Sequence, residues 1–264
     1  MQIIPSELLS NKAYHEMPAI SSSAVKAVAT SSLYHWKNAK FNSTPAMVLG
    51  SAFHAMLLEP EKKLVINSEL SRRGSKAWKE QEELLQDDQI LLPEGEFNQC
   101  KSMAFGCLQN KMANNLLTNK DLLAEYSFMA TCPKTGLELK CRPDGLLKEA
   151  GIVIDLKSCL DASYRGFDKA VRNYRYDLQA SFYRYVLKLC GYETTNFIFI
   201  ATEKSSYATA CYEMSDKYNK YAEEEMFKTL CKIKLAQDTN TFDTGWPDLD
   251  TINLPVYLDE DHGL

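Results

Sequence analysis

One short run in the middle of the chain shows the alternation of apolar and polar side chains most clearly. Residues 151–158 have the sequence GIVIDLKS, and an Ile- and Val-rich run bounded by Gly and Ser predicts a buried strand. Side chains two positions apart on a strand share a face. Asp155 and Lys157 therefore point one way, whereas Ile154 and Leu156 point the other way, into a core.

Similar patterns predict the other helices and strands. Residues 68–90 are polar and indicate an exposed loop and helix. We expect the Asp155 strand to add to a strand pair at 123–142, and residues 1–264 to form one domain, because no repeat or linker is present. Helices are predicted at 24–28 after a serine cap, at 47–59 before Pro60, within 95–118, at 166–190 before Gly191, and at 216–237. Strands are predicted at 123–131 and 137–142, joined by a turn at 133–136, and at 196–202 and 207–213.

Composition limits the classes of protein to which the chain can belong. The chain has 264 residues, of which 45% are hydrophobic and 25% charged, as in ordinary globular proteins. No apolar run approaches the roughly 20 residues of a membrane helix, and the N-terminus lacks the regions of a signal peptide. We therefore expect a cytoplasmic protein with no membrane partner.

Cysteine and histidine usage excludes two kinds of metal site. The eight cysteines contain no C-x-x-C spacing, which zinc and iron–sulfur sites typically have. Free thiols in a reducing cytosol are therefore expected. Four histidines are too few for a His-rich site.

The acids near the predicted strand favour metal-assisted phosphodiester hydrolysis. Asp144 precedes the strand, and Asp155 and Lys157 lie at its end. Buried acids are costly unless they are paired or bind a metal, and carboxylates select hard cations such as Mg²⁺ or Mn²⁺. A lysine beside such a metal can position a water molecule and offset charge on a phosphate.

The net charge of −5 argues mildly against nucleic acid as a partner. A nuclease, however, needs only a local basic path, and Arg165, Lys169, Arg172 and Arg175 offer one. Arg142 lies two positions before the first of the acids. The sequence is equally compatible with a phosphate contact and with a surface salt bridge for Arg142.

Four further candidates are weak when each is taken alone. A single histidine in a helix, such as His54, is more often a structural core residue, and a strand glutamate such as Glu125 is usually solvated. Gln179 and Tyr183 lie at i and i+4 and share a helix face. Two such residues more often pack against a neighbouring element and expose only their polar ends.

In their order and spacing these residues resemble the PD-(D/E)xK nuclease superfamily, in the branch of lambda exonuclease and RecB-type nuclease domains. The shared order is a His-bearing helix, a Glu strand, Pro-Asp, a strand with Asp-x-Lys and a helix with Gln-x-x-x-Tyr. Asp155 stands where many members carry Glu, and the four-cysteine cluster of some RecB-like relatives is absent. The segments that look like RecE-type exonucleases (exonuclease VIII) are 50–60, 141–144, 174–183 and 246–247, within a match from about 19 to 254.

The resemblance implies an α/β, restriction-endonuclease-like fold, with a central mixed β-sheet flanked by helices. It implies Mg²⁺ as cofactor, at two ions per site, with Mn²⁺ able to substitute. Direct and water-mediated contact of His54 with the metal both stay open. The implied catalytic residues are His54, Glu125, Asp144, Asp155, Lys157, Gln179 and Tyr183. The implied metal ligands are His54, Glu125, Asp144, Asp155 and the backbone carbonyl of Leu156. The candidate DNA contacts are Arg142, Arg172, Arg175, Gln179 and Tyr183.

The resemblance also implies a function. We expect an ATP-independent 5′→3′ exonuclease that resects linear double-stranded DNA and leaves 3′ single-stranded tails for recombination. The implied partners are a RecT-like annealing protein and further copies of the chain. The copies are expected to form a ring, and the resemblance favours a tetramer over a trimer. The implied setting is the cytoplasm of a bacterial host, with a phage or prophage gene. A PD-(D/E)xK endonuclease of restriction or repair type and a non-catalytic DNA-end binding protein stay open as alternatives.

Overall fold

The computed structural model describes residues 1–40, 42–61, 64–70, 73–86 and 89–252, so residues 253 and 254 of the RecE-like match lie outside the described part. The strands are β1 Gln2–Ile4, β2 Leu64–Ser68, β3 Gln89–Pro93, β4 Leu123–Ala124, β5 Ser127–Thr131, β6 Glu138–Cys141, β7 Gly145–Leu147, β8 Ile152–Cys159, β9 Asn196–Glu203 and β10 Thr209–Glu213. The helices are α1 Asn11–Glu16, α2 Ser22–Thr30, α3 Leu33–Asn38, α4 Pro45–Leu58, α5 Lys76–Glu83, α6 Glu94–Gln109, α7 Lys111–Leu117, α8 Tyr164–Tyr174, α9 Tyr176–Leu189 and α10 Asp216–Thr239.

A mixed five-stranded sheet forms the centre of the fold, in the order β10-β9-β8-β7-β4. β8 and β9 are parallel, and the other neighbours are antiparallel. Helices cover both faces of this sheet. Successive side chains of β8 therefore enter two different apolar clusters, one on each face. Val153 packs with α2, α9 and α10, whereas Ile154 and Leu156 pack with α4, α6 and α7. The expected α/β fold with a central mixed sheet is confirmed, and so is the alternation along β8.

The strand carrying Asp155 does not add to the predicted 123–142 pair. β5 and β6 do form a hairpin, but with β1 they make a separate three-stranded sheet. The reason is a break at Glu125, whose φ of 56° lies in the left-handed region. The break leaves β4 in the central sheet and sends β5 into the other one. β8 pairs instead with β9 and with β7, a three-residue strand that the sequence pattern did not indicate.

Two predicted helices are each divided. The helix predicted over 166–190 is α8 and α9, separated at Arg175, which has a φ of 51°. The region 95–118 holds α6 and α7, because the Asn110 side chain accepts hydrogen bonds from the first N–H groups of α7. The polar region 68–90 contains the expected helix α5, but it is flanked by the parallel pair β2 and β3. Short apolar runs at 64–66 and 90–92 form that pair.

The remaining predicted elements occur close to their expected bounds. α4 begins where Thr44 caps it and Pro45 occupies its first turn, and it ends just before Pro60. Ser21 precedes α2 as expected but makes no side-chain cap hydrogen bond. The eight cysteines are free thiols. Among the described residues, no helix is both long and apolar enough to cross a membrane.

Candidate active site

Three side chains from different elements meet where β7, β8 and α4 come together. A histidine nitrogen of His54 and carboxylate oxygens of Glu125 and Asp144 all lie within 4.8 Å of one another. His54 Nδ1 is 3.3 Å from Asp144 Oδ1 and 3.9 Å from Glu125 Oε1. An imidazole and two carboxylates at such distances form a donor set that suits a divalent cation.

Each of these groups is held by the backbone around it. α4 buries Ala52 and Phe53 in the second apolar cluster, which leaves the neighbouring His54 half-buried at the site. The N–H of Glu125, at the break between two sheets, donates to the Asp144 carbonyl at 3.1 Å. A non-glycine residue at positive φ is strained, and such residues cluster at functional sites.

Asp144 joins this group to β8. Its side chain is buried, and its Oδ2 accepts a hydrogen bond from the N–H of Leu156 at 2.5 Å. The N–H and carbonyl of one strand residue point to the same edge. The Leu156 carbonyl is therefore expected on the Asp144 side of β8, where a cation bound by Asp144 would lie.

Asp155 is 1% exposed and has two partners. Its Oδ1 accepts a hydrogen bond from Gln179 Nε2 at 2.7 Å, and its Oδ2 forms an ion pair with Lys157 Nζ. The ammonium group of Lys157 is thus the partner of Oδ2 within the protein. The structure thus brings Asp155, Lys157 and Gln179 together, but Asp155 is not one of the three clustered ligand side chains.

Lys26 on α2 was not predicted, yet it belongs to the same network. Its Nζ donates to Gln179 Oε1 at 3.3 Å, and Lys157 Nζ lies 3.5 Å from the same oxygen. Both ammonium groups also lie over the Tyr176 ring, at 5.7 Å for Lys26 and 4.6 Å for Lys157. The signal in the sequence was a lone lysine within the apolar run 24–28.

The charges of the site are strongly coupled. Burial lowers the pKa of His54, but Asp144 and then Glu125 outweigh it and raise the pKa to about 8. Burial would raise the pKa of Asp144, yet the charge and hydrogen bond of His54 hold it below its usual value. Burial raises the pKa of Asp155 against the effect of Lys157, and the Asp144 carboxylate adds to the rise. The buried carboxylates of Asp144 and Asp155 thus favour the binding of a further cation at this site.

These observations fit a metal site. The ligand-type atoms of His54, Glu125 and Asp144 converge within 4.8 Å of one another. Hard oxygen donors with one imidazole suit a divalent ion such as Mg²⁺ or Mn²⁺.

A groove of about 1310 Å³ opens over this site. Its wall includes His54, Glu125, Asp144 and Tyr183. Burial raises the pKa of the Tyr183 hydroxyl well above its ordinary value, so the group is neutral and can donate a hydrogen bond. Two exposed lysines, Lys37 and Lys40, line the groove. The further cations on its wall are engaged, Arg73 with Glu96, and Lys140 and Arg142 with groups inside the protein.

Two of the three arginines expected to contact DNA are engaged inside the protein. Arg142 donates to Ser127 Oγ at 2.7 Å and to the Leu9 carbonyl at 3.1 Å. Arg175 forms ion pairs with Asp177 and Glu225. These contacts leave the expected DNA roles of both arginines without support, although Arg142 does line the groove.

Arg172 is exposed on α8, where it pairs with Asp168 at 2.5 Å. Arg165 and Lys169 are exposed on the same helix. Their spacing of i, i+4 and i+7 gives a basic stripe on one helix face. A DNA contact by Arg172 stays a prediction.

Comparison with known proteins agrees with this arrangement. The sequence profile of a family described as a PDDEXK-like domain of unknown function (DUF3799) matches residues 17–244. A solved structure from Eubacterium rectale, described as a putative exonuclease, is similar over 100% of both chains, with a TM-score of 0.64 and 15% identity. At that identity the likeness concerns the fold. Another, SSO0001, covers 71% of this chain and 86% of its own at a TM-score of 0.30 and 16% identity, which carries no argument. None of the curated proteins compared with the chain matches it.

Proposed function

Since this chain belongs to the PDDEXK-like domain family (DUF3799), we propose that it is a Mg²⁺-dependent exonuclease that digests linear double-stranded DNA. One observation carries the proposal. The cluster of His54, Glu125 and Asp144 lies beside the buried Asp155–Lys157 pair and on the wall of a groove that Lys37 and Lys40 also line. One region of the molecule thus contains metal ligands, the ammonium group of Lys157 and a groove that can accept a polyanion.

Two sets of residues would hold metal ions. Asp144, Asp155 and the Leu156 carbonyl suit one Mg²⁺, and His54 and Glu125, together with Asp144, suit a second. Bound Mg²⁺ supplies a Lewis acid and lowers the pKa of water. His54 must give up a proton to act as a ligand, because a ligand nitrogen has to be free.

The chain's own residues supply the remaining electrostatics. The Lys157 ammonium forms an ion pair with Asp155. From this position it can offset the negative charge that develops on a phosphate. Gln179 fixes Asp155 through its amide nitrogen. The neutral Tyr183 hydroxyl lines the groove and can donate a hydrogen bond to a phosphate oxygen.

We assign the direction and the biological setting from the RecE-like resemblance. The enzyme removes nucleotides from 5′ ends without ATP and leaves 3′ tails, which a RecT-like annealing protein uses in recombination. The chains assemble as a tetrameric ring around the DNA, in the cytoplasm of a bacterial host that carries a phage or prophage gene. The description of the E. rectale structure as an exonuclease supports an end-dependent activity.

Digestion of a linear duplex tests the proposal. One strand carries different labels at its two ends, and products are sized after incubation with Mg²⁺ or with EDTA. We expect early release of the 5′ label, dependence on Mg²⁺, and little cutting of closed circular DNA. Early release of the 3′ label would reverse the direction. Efficient cutting of circles would favour an endonuclease, and binding to ends without any nucleotide release would favour a non-catalytic end-binding protein.

A further inference from the structure

We infer that Lys26 is a positioning residue of this site, whose ammonium group fixes the orientation of the Gln179 amide and thereby holds Asp155. The inference rests on the nuclease function proposed above. It adds to that site a residue from α2, an element that carries none of the residues expected there from the sequence.

The contacts form a chain of three links. Lys26 Nζ donates to Gln179 Oε1 at 3.3 Å. Gln179 Nε2 donates to Asp155 Oδ1 at 2.7 Å. Asp155 Oδ2 in turn forms the ion pair with Lys157. Lys26 therefore reaches the acid of the site through one amide group.

The amide of Gln179 has two orientations that differ in energy. In the observed one, its oxygen faces the ammonium groups of Lys26 and Lys157, and its nitrogen faces a carboxylate. If the amide rotated by half a turn, donors would face donors and an oxygen would face the carboxylate. With Lys26 present, two cations select the observed orientation. Without it, the amide nitrogen keeps its hydrogen bond to Asp155, but the amide oxygen keeps only the longer contact of 3.5 Å to Lys157.

The surroundings of Lys26 are electrostatically unfavourable for a lysine, which argues against a role in packing alone. Its half-buried side chain lies in the apolar run of α2, near a second ammonium group. Burial and then the charge of Lys157 lower the pKa of Lys26 to about 8, against opposing effects of Asp155 and Asp177. An apolar side chain of similar length would avoid this electrostatic cost. The Tyr176 ring beneath both ammonium groups offsets part of it.

A double-mutant cycle on the full chain tests the inference. Lys26→Met keeps the length of the side chain and removes the donor, and Gln179→Ala removes the amide. Lys111→Met is the control, because Lys111 is an exposed lysine at the start of α7. Melting temperatures confirm that each variant is folded, and kcat and KM are measured on linear duplex DNA with Mg²⁺.

We expect Lys26→Met to lower kcat by about 10- to 100-fold, as small misplacements of catalytic groups do, with little change in KM. Lys26→Arg, which keeps a donor, should recover part of the loss, and Lys111→Met should behave as the wild type. Because Lys26 acts through Gln179, the double variant should be no slower than Gln179→Ala alone. Additive losses, a rise in KM at constant kcat, or unchanged kinetics of Lys26→Met would overturn the inference.

A measurement without turnover separates this inference from the proposed function. The side-chain amide signals of Gln179 in ¹H–¹⁵N spectra are identified by their loss in Gln179→Ala. We expect them to shift in Lys26→Met and to stay in place in Lys111→Met. If they do not move in Lys26→Met, Lys26 does not position the amide. If the wild type fails to release nucleotides, the proposed function fails, and the spectra still decide the role of Lys26.

Discussion

Lys157 keeps its positive charge although it is largely withdrawn from water. Burial by itself lowers the pKa of the ammonium, but Asp155 and then Asp144 outweigh it and raise the pKa above its ordinary value. The group is therefore protonated near neutral pH. It is suited to stabilise charge on a phosphate rather than to accept a proton.

Replacing Lys157 with alanine tests this role. We expect the single-turnover rate of Lys157→Ala with Mg²⁺ to fall by about 10²- to 10³-fold, the usual effect of losing one positioned electrostatic group. DNA and Mn²⁺ should still bind, because the ammonium is not a metal ligand. The exposed-site variant Lys111→Ala is the control. Near-normal turnover in Lys157→Ala would remove the residue from the mechanism.

The pKa of His54 predicts a pH dependence for metal binding. Free of metal, His54 has a pKa of about 8, so it is mainly protonated at neutral pH. A ligand histidine has to be neutral, so binding through His54 must release a proton. Below the pKa, the affinity for Mn²⁺ should fall by up to about tenfold per pH unit. Above it, this dependence should disappear.

Calorimetric titration with Mn²⁺ in buffers of different ionisation enthalpy measures the released protons. We expect close to one proton from His54 at neutral pH, and less in His54→Ala. The same proton release in both proteins would show that His54 is not the source.

At the residue scale, the sequence predicted the relations that depend on a local period. Asp155 and Lys157 share a face because β8 is a strand. Lys26 could not be found this way, since its partner Gln179 is 153 positions away. The inward engagement of Arg175 was equally hidden, because Glu225 lies 50 positions further along the chain.

At the scale of elements, the division between α8 and α9 depends on Arg175. Its backbone has a φ of 51°, and its guanidinium pairs with the buried Asp177 and with Glu225. The backbone N–H of Gln179 donates to the Arg175 carbonyl at 3.3 Å. The break therefore sets the start of the helix that carries Gln179.

Removing Arg175 should destabilise the fold more than removing a surface arginine. Arg175→Ala leaves Asp177 as a buried carboxylate without its cation, which costs on the order of 3 kcal/mol. Arg172→Ala, an exposed change on the neighbouring helix, should stay within about 0.5 kcal/mol. Unfolding in urea gives both values. If adding Asp177→Asn to Arg175→Ala recovers no stability, the unpaired acid is not the cause.

The elements that the sequence misplaced share a physical reason. The breaks at Glu125 and Arg175 use positive φ, which neither residue type signals. β7 has only three residues, too few to show a period. α4, α10 and the β9–β10 pair were predicted well, because each has a sustained apolar pattern or a clear stop signal.

At the scale of the whole molecule, we expect a ring of four chains. A chain with net charge −5 can hold DNA if its basic groups face an enclosed strand while acids face outwards. Light scattering at micromolar concentration should give a mass near four times the 30.0 kDa of one chain. A value near three times would indicate a trimer, and a monomer would contradict the ring.

β8 pairs with β9 along its whole length and with β7 over Ile152–Ile154, and it has apolar clusters on both faces. Backbone amides in such a strand exchange their hydrogens with heavy water only when the entire fold opens. Asp155 and Lys157 follow directly on the doubly paired segment, so we expect them to stand on a part of the molecule that opens last. Faster exchange along β8 in a variant would mean that the protein as a whole is weaker. Unchanged exchange with lost turnover would mean that only the chemistry is damaged.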